Sequence, residues 1–410
     1  MTTASTSAVL AQTTQAQFDA WVQEVYTNLV TNCGLTQAND TGQAAVPFAG
    51  ALPTGTGVAN ATGYYVFTFN DSLAEGSLST TALTSGGSGY TSTSYTGITV
   101  TGVTSGATSA RASLTVTGGV AGNLTITTAG SGYVVGEKLT VTGIGAGTGA
   151  NWTAAALSSG APVIFRLDFG AGSATTSPQV WITLGAGTNG AGTIAGTAGT
   201  SRMTQVAAFN GSAPNSTSAA YNSRYVYNST YGYLGIAFKL GAQGSAAGAA
   251  GGLIIFRTCD TNGNATSNAV CMICNSTTTT AVNTASAGAM QCMSYNSGAG
   301  STVYPTLSAA ASIAWTANGA TTQFMFGLTA TIENSIAFIQ PIYTIDPSIR
   351  FSAFNGLGLQ NDFPIGNTAS YAMIGSTALT FISVGGPFGN SIGEFAAQAY
   401  TGNTFCMLWQ

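Results

Sequence analysis

The chain of 410 residues carries 8 Lys and Arg against 12 Asp and Glu, a net charge of -4, and has no histidine. So few basic residues argue against a nucleic-acid partner, and the lack of histidine excludes Ser-His-Asp and Cys-His catalysis and every His-ligated metal site. With 5% charged residues, against about 25% in an ordinary soluble domain, the chain is more typical of a subunit in a large assembly, fibre or spike.

The first predicted element is a helix that starts at Thr14 and ends before Gly34. Apolar residues recur on one face, Thr14 and Gln17 can form a capping box, and Gly34 can supply the left-handed residue that ends the helix. This face packs either on the body of its own chain or on a neighbouring subunit. The second interpretation makes five residues an assembly interface: Phe18, Trp21, Val22, Val25 and Leu29.

Beyond residue 35, short runs rich in Thr, Val, Ile, Tyr and Phe alternate with Gly, Ser, Asn and Pro. Period-2 alternation bounded by turn formers predicts antiparallel strands. We therefore predict a mainly β protein with antiparallel β-sandwich-type domains, one N-terminal amphipathic helix and an inserted small β-module. The predicted divisions are a helix and linker (1–45), a discontinuous main β-domain (46–75 and 160–300), the inserted module (76–159) and a C-terminal β-rich domain (301–410).

The predicted module contains an internal repeat. GSGY at 87–90 precedes ITVTG at 98–102, and GSGY at 130–133 precedes LTVTG at 139–143. Each copy predicts a turn, a strand and a Gly-rich loop, which together favour a small β-sandwich or a β-module that projects from the main body. The aromatic residues of this region either stack on glycans or anchor a core; they are Tyr90, Tyr95, Tyr133 and Trp152.

The stretch LGAGTNGAG (184–192) has the spacing G-x-G-x-x-G directly after the apolar run VWITL. A dinucleotide site requires that such glycines close a strand-to-helix turn, with an acidic residue about 20 residues further on. The following AGTIAGTAGT has no helical period, and the next carboxylate after Asp168 is Asp260. We interpret the glycines as turn residues between strands and predict neither a cofactor nor a metal site.

Six cysteines leave three interpretations open. Cys271 and Cys274 form a lone C-x-x-C and, with Cys259 and Cys292, would make a four-thiolate zinc site. The spacing differs from that of a familiar zinc ribbon, and the surrounding residues are apolar. Buried free thiols are therefore favoured over a disulfide formed after release from the cell and over zinc.

Carboxylates are the remaining route to catalysis. A polysaccharide depolymerase can use two of them about 5 to 9 Å apart. Most of the candidates suit turns, while Arg166 and Asp168 share one face of a predicted strand and can pair. We predict that the protein is not an enzyme. The candidates are Asp40, Asp71, Asp168, Asp260, Glu333, Asp346, Asp362 and Glu394.

Several stretches together resemble a family of bacteriophage virion structural proteins found among the tail and baseplate-associated products of tailed phages. The first shares the family's opening pattern of a Trp-bearing helix, a Gly-Leu pair and an Asp-Thr-Gly-Gln end. The stretches are FDAWVQEVYTNLVTNCGLTQANDTGQ (18–43), GYYVFTFNDSL (63–73), APVIFRLDFGAG (161–172), PQVWITLGAGTNGAGTIAG (178–196), IIFRTCDTNGN (254–264), PIYTIDPSIR (341–350) and CMLWQ (406–410).

The resemblance implies a structural protein of the tail, baseplate or fibre region, assembled in the host cytoplasm into the phage particle. Its implied partners are other copies of itself, in a trimer or a multiple of one, and neighbouring virion proteins. In the family pattern, FNDSL runs almost directly into APVIFRLDF, whereas about 85 residues intervene here, so the GSGY region resembles an insertion into one loop. Similar modules are found in phage fibres and adhesins.

Two alternatives remain. The protein is a receptor-binding protein or adhesin that contacts host surface glycans through residues 76–159, or it is a decoration protein of the capsid or neck. The sequence shows neither a secretory signal nor 18 consecutive apolar residues, so no membrane span is predicted.

Overall fold

The computed structural model describes residues 2–9, 15–55, 58–160, 162–171 and 178–195 and, beyond residue 200, the strands named below with residues 229 and 232. Every strand pair in this part of the chain is antiparallel, and α1 (Gln15–Thr27) is its long helix. The predicted mainly β, antiparallel fold with an N-terminal helix is therefore confirmed. The helix continues as a π-helical turn (Asn28–Asn32), and Gly34 follows with a φ of +78°, as predicted.

The strands follow one another in five groups along the chain. The N-terminal strands are β1 (Thr2–Val9), β2 (Thr36–Gln37) and β3 (Gly63–Thr68). The inserted region contains β4 (Glu75–Gly76), β5 (Leu78–Ser88), β6 (Ser94–Gly102), β7 (Ala110–Thr117), β8 (Val120–Ala121), β9 (Thr125–Thr128), β10 (Tyr133–Val134), β11 (Lys138–Thr142) and β12 (Thr148–Leu157). Then come β13 (Ile164–Ala171), β14 (Pro178–Gly185), β15 (Gly187–Thr188), β16 (Ile194–Ala195) and β17 (Thr204–Ala208).

The fourth group is β18 (Ala220–Asn228), β19 (Tyr233–Leu240), β20 (Ala249–Cys259), β21 (Ala265–Asn275), β22 (Met290–Asn296) and β23 (Gly300–Tyr304). The last is β24 (Gln323–Met325), β25 (Ile336–Ala337), β26 (Tyr343–Asp346), β27 (Ile349–Arg350), β28 (Leu357–Asn361), β29 (Thr368–Tyr371), β30 (Leu379–Gly385) and β31 (Asn403–Leu408). A 3-10 turn lies at Val58–Asn60. The last group forms a three-stranded sheet (β24-β26-β27) and a five-stranded one (β25-β28-β31-β30-β29).

The body of the protein is built from α1 and two larger sheets. One sheet has the order β17-β14-β13-β3-β2, and the other is the seven-stranded β1-β18-β19-β20-β21-β22-β23. The helix and both sheets contribute to a single buried core. Aromatic rings dominate the part beside the helix, where Trp21 meets Phe169 edge-on at 5.8 Å and Tyr26 lies 4.7 Å from Tyr65, measured between ring centroids.

Strand β1 was not predicted. Residues 1–45 were interpreted as a helix and a linker, but Thr2–Val9 pairs along its whole length with β18, from Thr2 opposite Tyr227 to Val9 opposite Ala220. The segment TTASTSAV has no clear alternation of apolar and polar residues. It is a strand because a neighbouring strand offers it a row of backbone partners, which short-range sequence patterns do not encode.

Residues 78–157, which we call the module, form a separate sheet with its own core. The sheet has the order β5-β12-β11-β6-β7-β8, with β9 also paired to β7. It curls until its first strand returns to the last ones, where the Leu78 amide donates to the carbonyl of Ala129 at 3.0 Å and the Thr81 hydroxyl donates to that of Leu124 at 3.2 Å. Tyr90, Tyr133 and Trp152 belong to the core that this curled sheet encloses.

Candidate docking site between the body and the module

The module leaves the body and returns to it at one place. The Ser158 amide donates to the carbonyl of Ser77 at 2.8 Å, and the Ser77 amide donates to the Ser159 hydroxyl at 2.9 Å. Gly76 lies so close to Ser159 that an added Cβ would meet the Ser159 carbonyl oxygen at 1.9 Å. The two connections are therefore held side by side.

A small apolar cluster joins the two parts beside these connections. It combines Val66 of β3 and Ile164 of β13 with Val135 of the module, and it also includes Ala38 and Ile194. All five are buried. Because these residues come from both parts, the module rests on the body over a packed surface and does not hang from a free loop.

The segment Asn39–Thr41 runs along this junction and bonds to both sides. The Asn39 amide donates to the carbonyl of Gly136 at 2.7 Å, and its side-chain amide donates to the Thr153 hydroxyl at 3.1 Å. Thr153 in turn donates to the carbonyl of Asn39 at 3.2 Å. Two residues further on, the Thr41 amide donates to the carbonyl of Gly190 at 2.8 Å.

Asp40 points the other way, into the glycine-rich hairpin. Its Oδ2 accepts hydrogen bonds from the Gly192 amide at 2.8 Å and from the Thr188 hydroxyl, whereas Oδ1 has no hydrogen-bond partner among the described residues. Burial raises the pKa of this carboxyl, and the hydrogen bonds from Thr188 and Gly192 and the charge of Arg166 oppose the rise. Asp40 therefore ties the hairpin to the segment that contacts the module.

The hairpin is the stretch LGAGTNGAG, and among the described residues the element that comes directly after it is strand β16 (Ile194–Ala195). Strand β14 ends at Gly185, and β15 pairs with β16 across a tight turn. Gly190 and Gly192 have φ values of +77° and +80°. An added Cβ at Gly190 would lie 2.6 Å from the Cβ of Ala82, and one at Gly192 would lie 2.2 Å from the Tyr64 hydroxyl. The interpretation as turn residues is confirmed for Gly190 and Gly192, whose close contacts with the module and with β3 add a reason for them, whereas Gly185 ends β14 and Gly187 begins β15.

An ion pair lies beside the hairpin on β13. Arg166 donates through Nε and Nη2 to the two carboxylate oxygens of Asp168 at 2.8 and 2.5 Å and through Nη1 to the carbonyl of Gly192 at 2.8 Å. Its guanidinium carbon lies 3.7 Å from the centroid of the Tyr64 ring. Burial raises the pKa of Asp168, and Arg166 opposes this. The predicted pairing of Arg166 with Asp168 is confirmed, and both groups are used to hold the hairpin.

A second, fully buried ion pair connects the two sheets of the body. Arg257 of β20 donates through Nε to both carboxylate oxygens of Asp71 at 3.1 Å and through Nη2 to one of them at 2.9 Å. Asp71 also accepts from the Leu73 amide. Next to it, Tyr227 donates its hydroxyl to the side chain of Asn70 at 2.9 Å. The stretches FNDSL and IIFRT thus meet in this contact.

The prediction that the helix face forms an assembly interface must be corrected. All five residues are at most 4% exposed, because they pack into the core of their own chain. The helix face packs on the body of its own chain, which was the alternative interpretation, because both sheets of the body present apolar side chains to the helix. The corrected residues are Phe18, Trp21, Val22, Val25 and Leu29.

The predicted glycan contacts are corrected in the same way for three of the four aromatic residues. Trp152 and Tyr133 are 0% exposed and Tyr90 is 8% exposed. Trp152 donates its indole N–H to the carbonyl of Gly122 at 2.9 Å, and Tyr133 donates to that of Val100 at 2.8 Å. Tyr95 is partly buried and donates to the carbonyl of Thr91. Core anchoring, the alternative that the sequence left open, accounts for the three buried rings.

The structure describes only some of the cysteines and of the remaining acidic residues. Cys33 is a buried free thiol whose pKa is raised to about 12 by burial. Cys271 and Cys274 lie on strand β21. Asp346 ends strand β26. The acids outside the described residues are Asp260, Glu333, Asp362 and Glu394.

Sequence patterns did not indicate the buried Glu137, which organises a turn of the module. Its carboxylate accepts hydrogen bonds from the amides of Val134 and Ser105 at 2.8 and 3.0 Å and from the Ser105 hydroxyl. Among the described residues, no three Cys, Asp or Glu side chains meet as a metal site would require. No helix in this part of the chain has the length and apolar character needed to cross a membrane.

Comparison of the chain with protein-family models, with curated proteins and with solved structures found no match in any of the three.

Proposed function

We propose that the protein is an architectural subunit of a tailed-phage particle, with its place in the tail, baseplate or fibre region, and that it acts by assembly and not by catalysis. The observation that carries this proposal is the docked module. This unit of eight strands, β5 to β12, is joined to the body by adjacent chain connections, a shared apolar cluster and the bonds of Asn39. Such a joint suits a rigid building block.

The use of the charged residues supports the same proposal. Asp71, Asp168 and Glu137 are each at most 3% exposed, and each binds donors of its own chain. A catalytic carboxyl group needs an oxygen within reach of the substrate, to give or take a proton, whereas these carboxylates are occupied in holding elements together. We assign the place in the particle from the resemblance of the sequence to tail and baseplate-associated proteins.

The proposed assembly depends on backbone and apolar contacts between subunits, because the chain has few charges for ion pairs. We expect self-association of the purified chain, measured by sedimentation, to change less than about threefold between low salt and about 0.5 M salt, since screening weakens only charge-charge contacts. A steep loss of association with salt would contradict this mode of assembly.

The test of the location is cryo-electron microscopy of intact particles. Copies at the tail end in three- or six-fold arrangement support the proposal. Copies over the capsid or around the neck would replace the tail assignment with a decoration role. Absence from the particle would refute the virion assignment, and the carboxylates would then be tested for glycan cleavage.

A further inference from the structure

The module consists of two equivalent halves in three dimensions, and this goes beyond the proposed function. The first half is β5, a GSGY turn, β6 and β7, and the second is β9, a GSGY turn, β11 and β12. The glycines of the two turns have matching φ values, +61° and +80° at Gly87 and Gly89, and +63° and +81° at Gly130 and Gly132. The repeat seen in the sequence is thus also a repeat of backbone conformation.

The halves are related by an approximate two-fold axis. In the two halves, β5 corresponds to β9, β6 to β11 and β7 to β12. When each strand is replaced by its counterpart, the sheet order β5-β12-β11-β6-β7-β9 becomes the same order read from the other end. At the centre, Val100 lies directly opposite Val141. These are equivalent residues of ITVTG and LTVTG, so the axis passes between them.

The outer strand pairs repeat the same register. On one side Asn151 and Trp152 lie opposite Ser85 and Leu83, and on the other side Arg111 and Ala112 lie opposite Thr128 and Ile126. In both pairs an irregularity falls between the two named positions. A shared bulge at the same step is strong evidence for equivalence, because bulges are local features of a particular strand pair.

Each half supplies a strand to the other. Strand β5 belongs to the first half but pairs with β12 of the second, and β9 belongs to the second half but pairs with β7 of the first. The tyrosines cross in the same way: Tyr90 accepts from the Ala150 amide at 3.2 Å, and Tyr133 accepts from the Ala110 amide at 2.9 Å. A single half would therefore leave strand edges unpaired and its part of the core open.

We propose that the module is two joined copies of one strand-exchanging unit, residues 78–117 and 120–157, and that the partner each unit fits is a second copy of itself. Exchange of an identical element between two copies is a direct route to a two-fold pair. Joining the copies in tandem brings the start of the first unit beside the end of the second, where Ser77 and Ser158 are bonded. This allows the pair to occupy one loop of the body.

The first test uses the full chain and exchanges a large and a small core residue across the axis. Trp152 of the second unit corresponds to Ala112 of the first, and both are 0% exposed. Trp152→Ala should raise amide exchange in the module, because it leaves a cavity. Adding Ala112→Trp should slow that exchange at least about tenfold relative to the single variant, since the equivalent position refills the shared core.

The matched control is Trp152→Ala with Ala154→Trp. It places the new Trp at a buried alanine of the same core that does not correspond to Trp152 across the two-fold axis. Ala154 is also 0% exposed. The control should not restore protection. The proposal is wrong if Ala112→Trp restores no more protection than the control does.

The second test separates the units, since the module encloses its own core apart from that of the body. A polypeptide of residues 119–160 should sediment as a dimer, and its Val141→Cys variant should form a disulfide with its own copy, because opposed residues lie about 4.5 to 5.5 Å apart at Cα. An equimolar mixture with residues 76–118 is the control for folding. If residues 119–160 pair only with residues 76–118 in the mixture and never with their own copy, the proposal is overturned. If neither preparation folds, the exchange of Trp152 and Ala112 in the full chain decides.

Discussion

Glu24 gives the stability of the body a pH dependence that a single substitution can remove. This carboxylate lies on α1 and accepts the Ser223 hydroxyl of β18 at 2.5 Å. Burial raises its pKa from 4.5 to about 7, although the hydrogen bonds from Ser223 and Tyr225 oppose the rise. Between these two pH values the folded chain holds a proton that the unfolded chain releases, so the free energy of unfolding falls as the pH rises through this window.

The size of the effect follows from the pKa difference. From 4.5 to about 7, it amounts to about 3 kcal/mol at about 1.4 kcal/mol for each pKa unit. The contribution is fully present below about pH 4.5 and is lost as the pH passes about 7. Glu24→Gln keeps the shape and hydrogen-bonding capacity of the side chain but does not titrate, so the difference in unfolding free energy, variant minus wild type, should rise by up to about 3 kcal/mol across the window.

Denaturant unfolding followed by tryptophan fluorescence at a series of pH values measures this difference. Glu75→Gln is the matched control, because it makes the same substitution at an exposed residue of β4. A difference between Glu24→Gln and wild type that stays constant from about pH 4.5 to about pH 8 would refute the reasoning.

Three further outcomes are expected. Arg257→Met leaves Asp71 buried without its partner and should lower the free energy of unfolding by about 3 to 5 kcal/mol, whereas Asp71→Asn together with Arg257→Met should recover part of the loss; thermal unfolding measures both, and equal losses would show that the unpaired charge of Asp71 is not what destabilises Arg257→Met. Gly192→Ala adds a Cβ 2.2 Å from the Tyr64 hydroxyl, while Gly143→Ala, also at positive φ, meets nothing within 4 Å. Gly143→Ala should lower the free energy of unfolding by about 1 to 2 kcal/mol, and Gly192→Ala should lower it clearly more. Equal losses in denaturant unfolding would contradict the close contact at Gly192. Tyr133→Phe removes the acceptor of the Ala110 amide and should speed exchange of that amide several-fold with no change in glycan binding, since Tyr133 is 0% exposed; a loss of glycan binding in an array assay would restore the surface interpretation of this residue.

The helix face and the aromatic residues of the module illustrate how far one-dimensional patterns reach. Helical spacing indicated that Trp21 and Val25 are buried, but spacing does not say whether a side chain is covered by its own chain or by a neighbour. Their contact with both sheets of the body decides this. Likewise, a Tyr or Trp in a Thr-rich region is compatible both with a glycan surface and with a core, and the curl of the sheet is what encloses Trp152.

The sequence by itself determined the properties that depend on neighbours along the chain: the helix and its end at Gly34, the β character of the rest, the turns at the GSGY motifs and the turn in LGAGTNGAG. Only the tertiary structure decided the contacts between distant segments. The approach of Asn39 to Thr153, the pairing of Asp71 with Arg257 and the pairing of β5 with β12 all join residues far apart in the sequence. Local propensity acts over a few residues, whereas these contacts form only when whole sheets pack and bury the groups concerned.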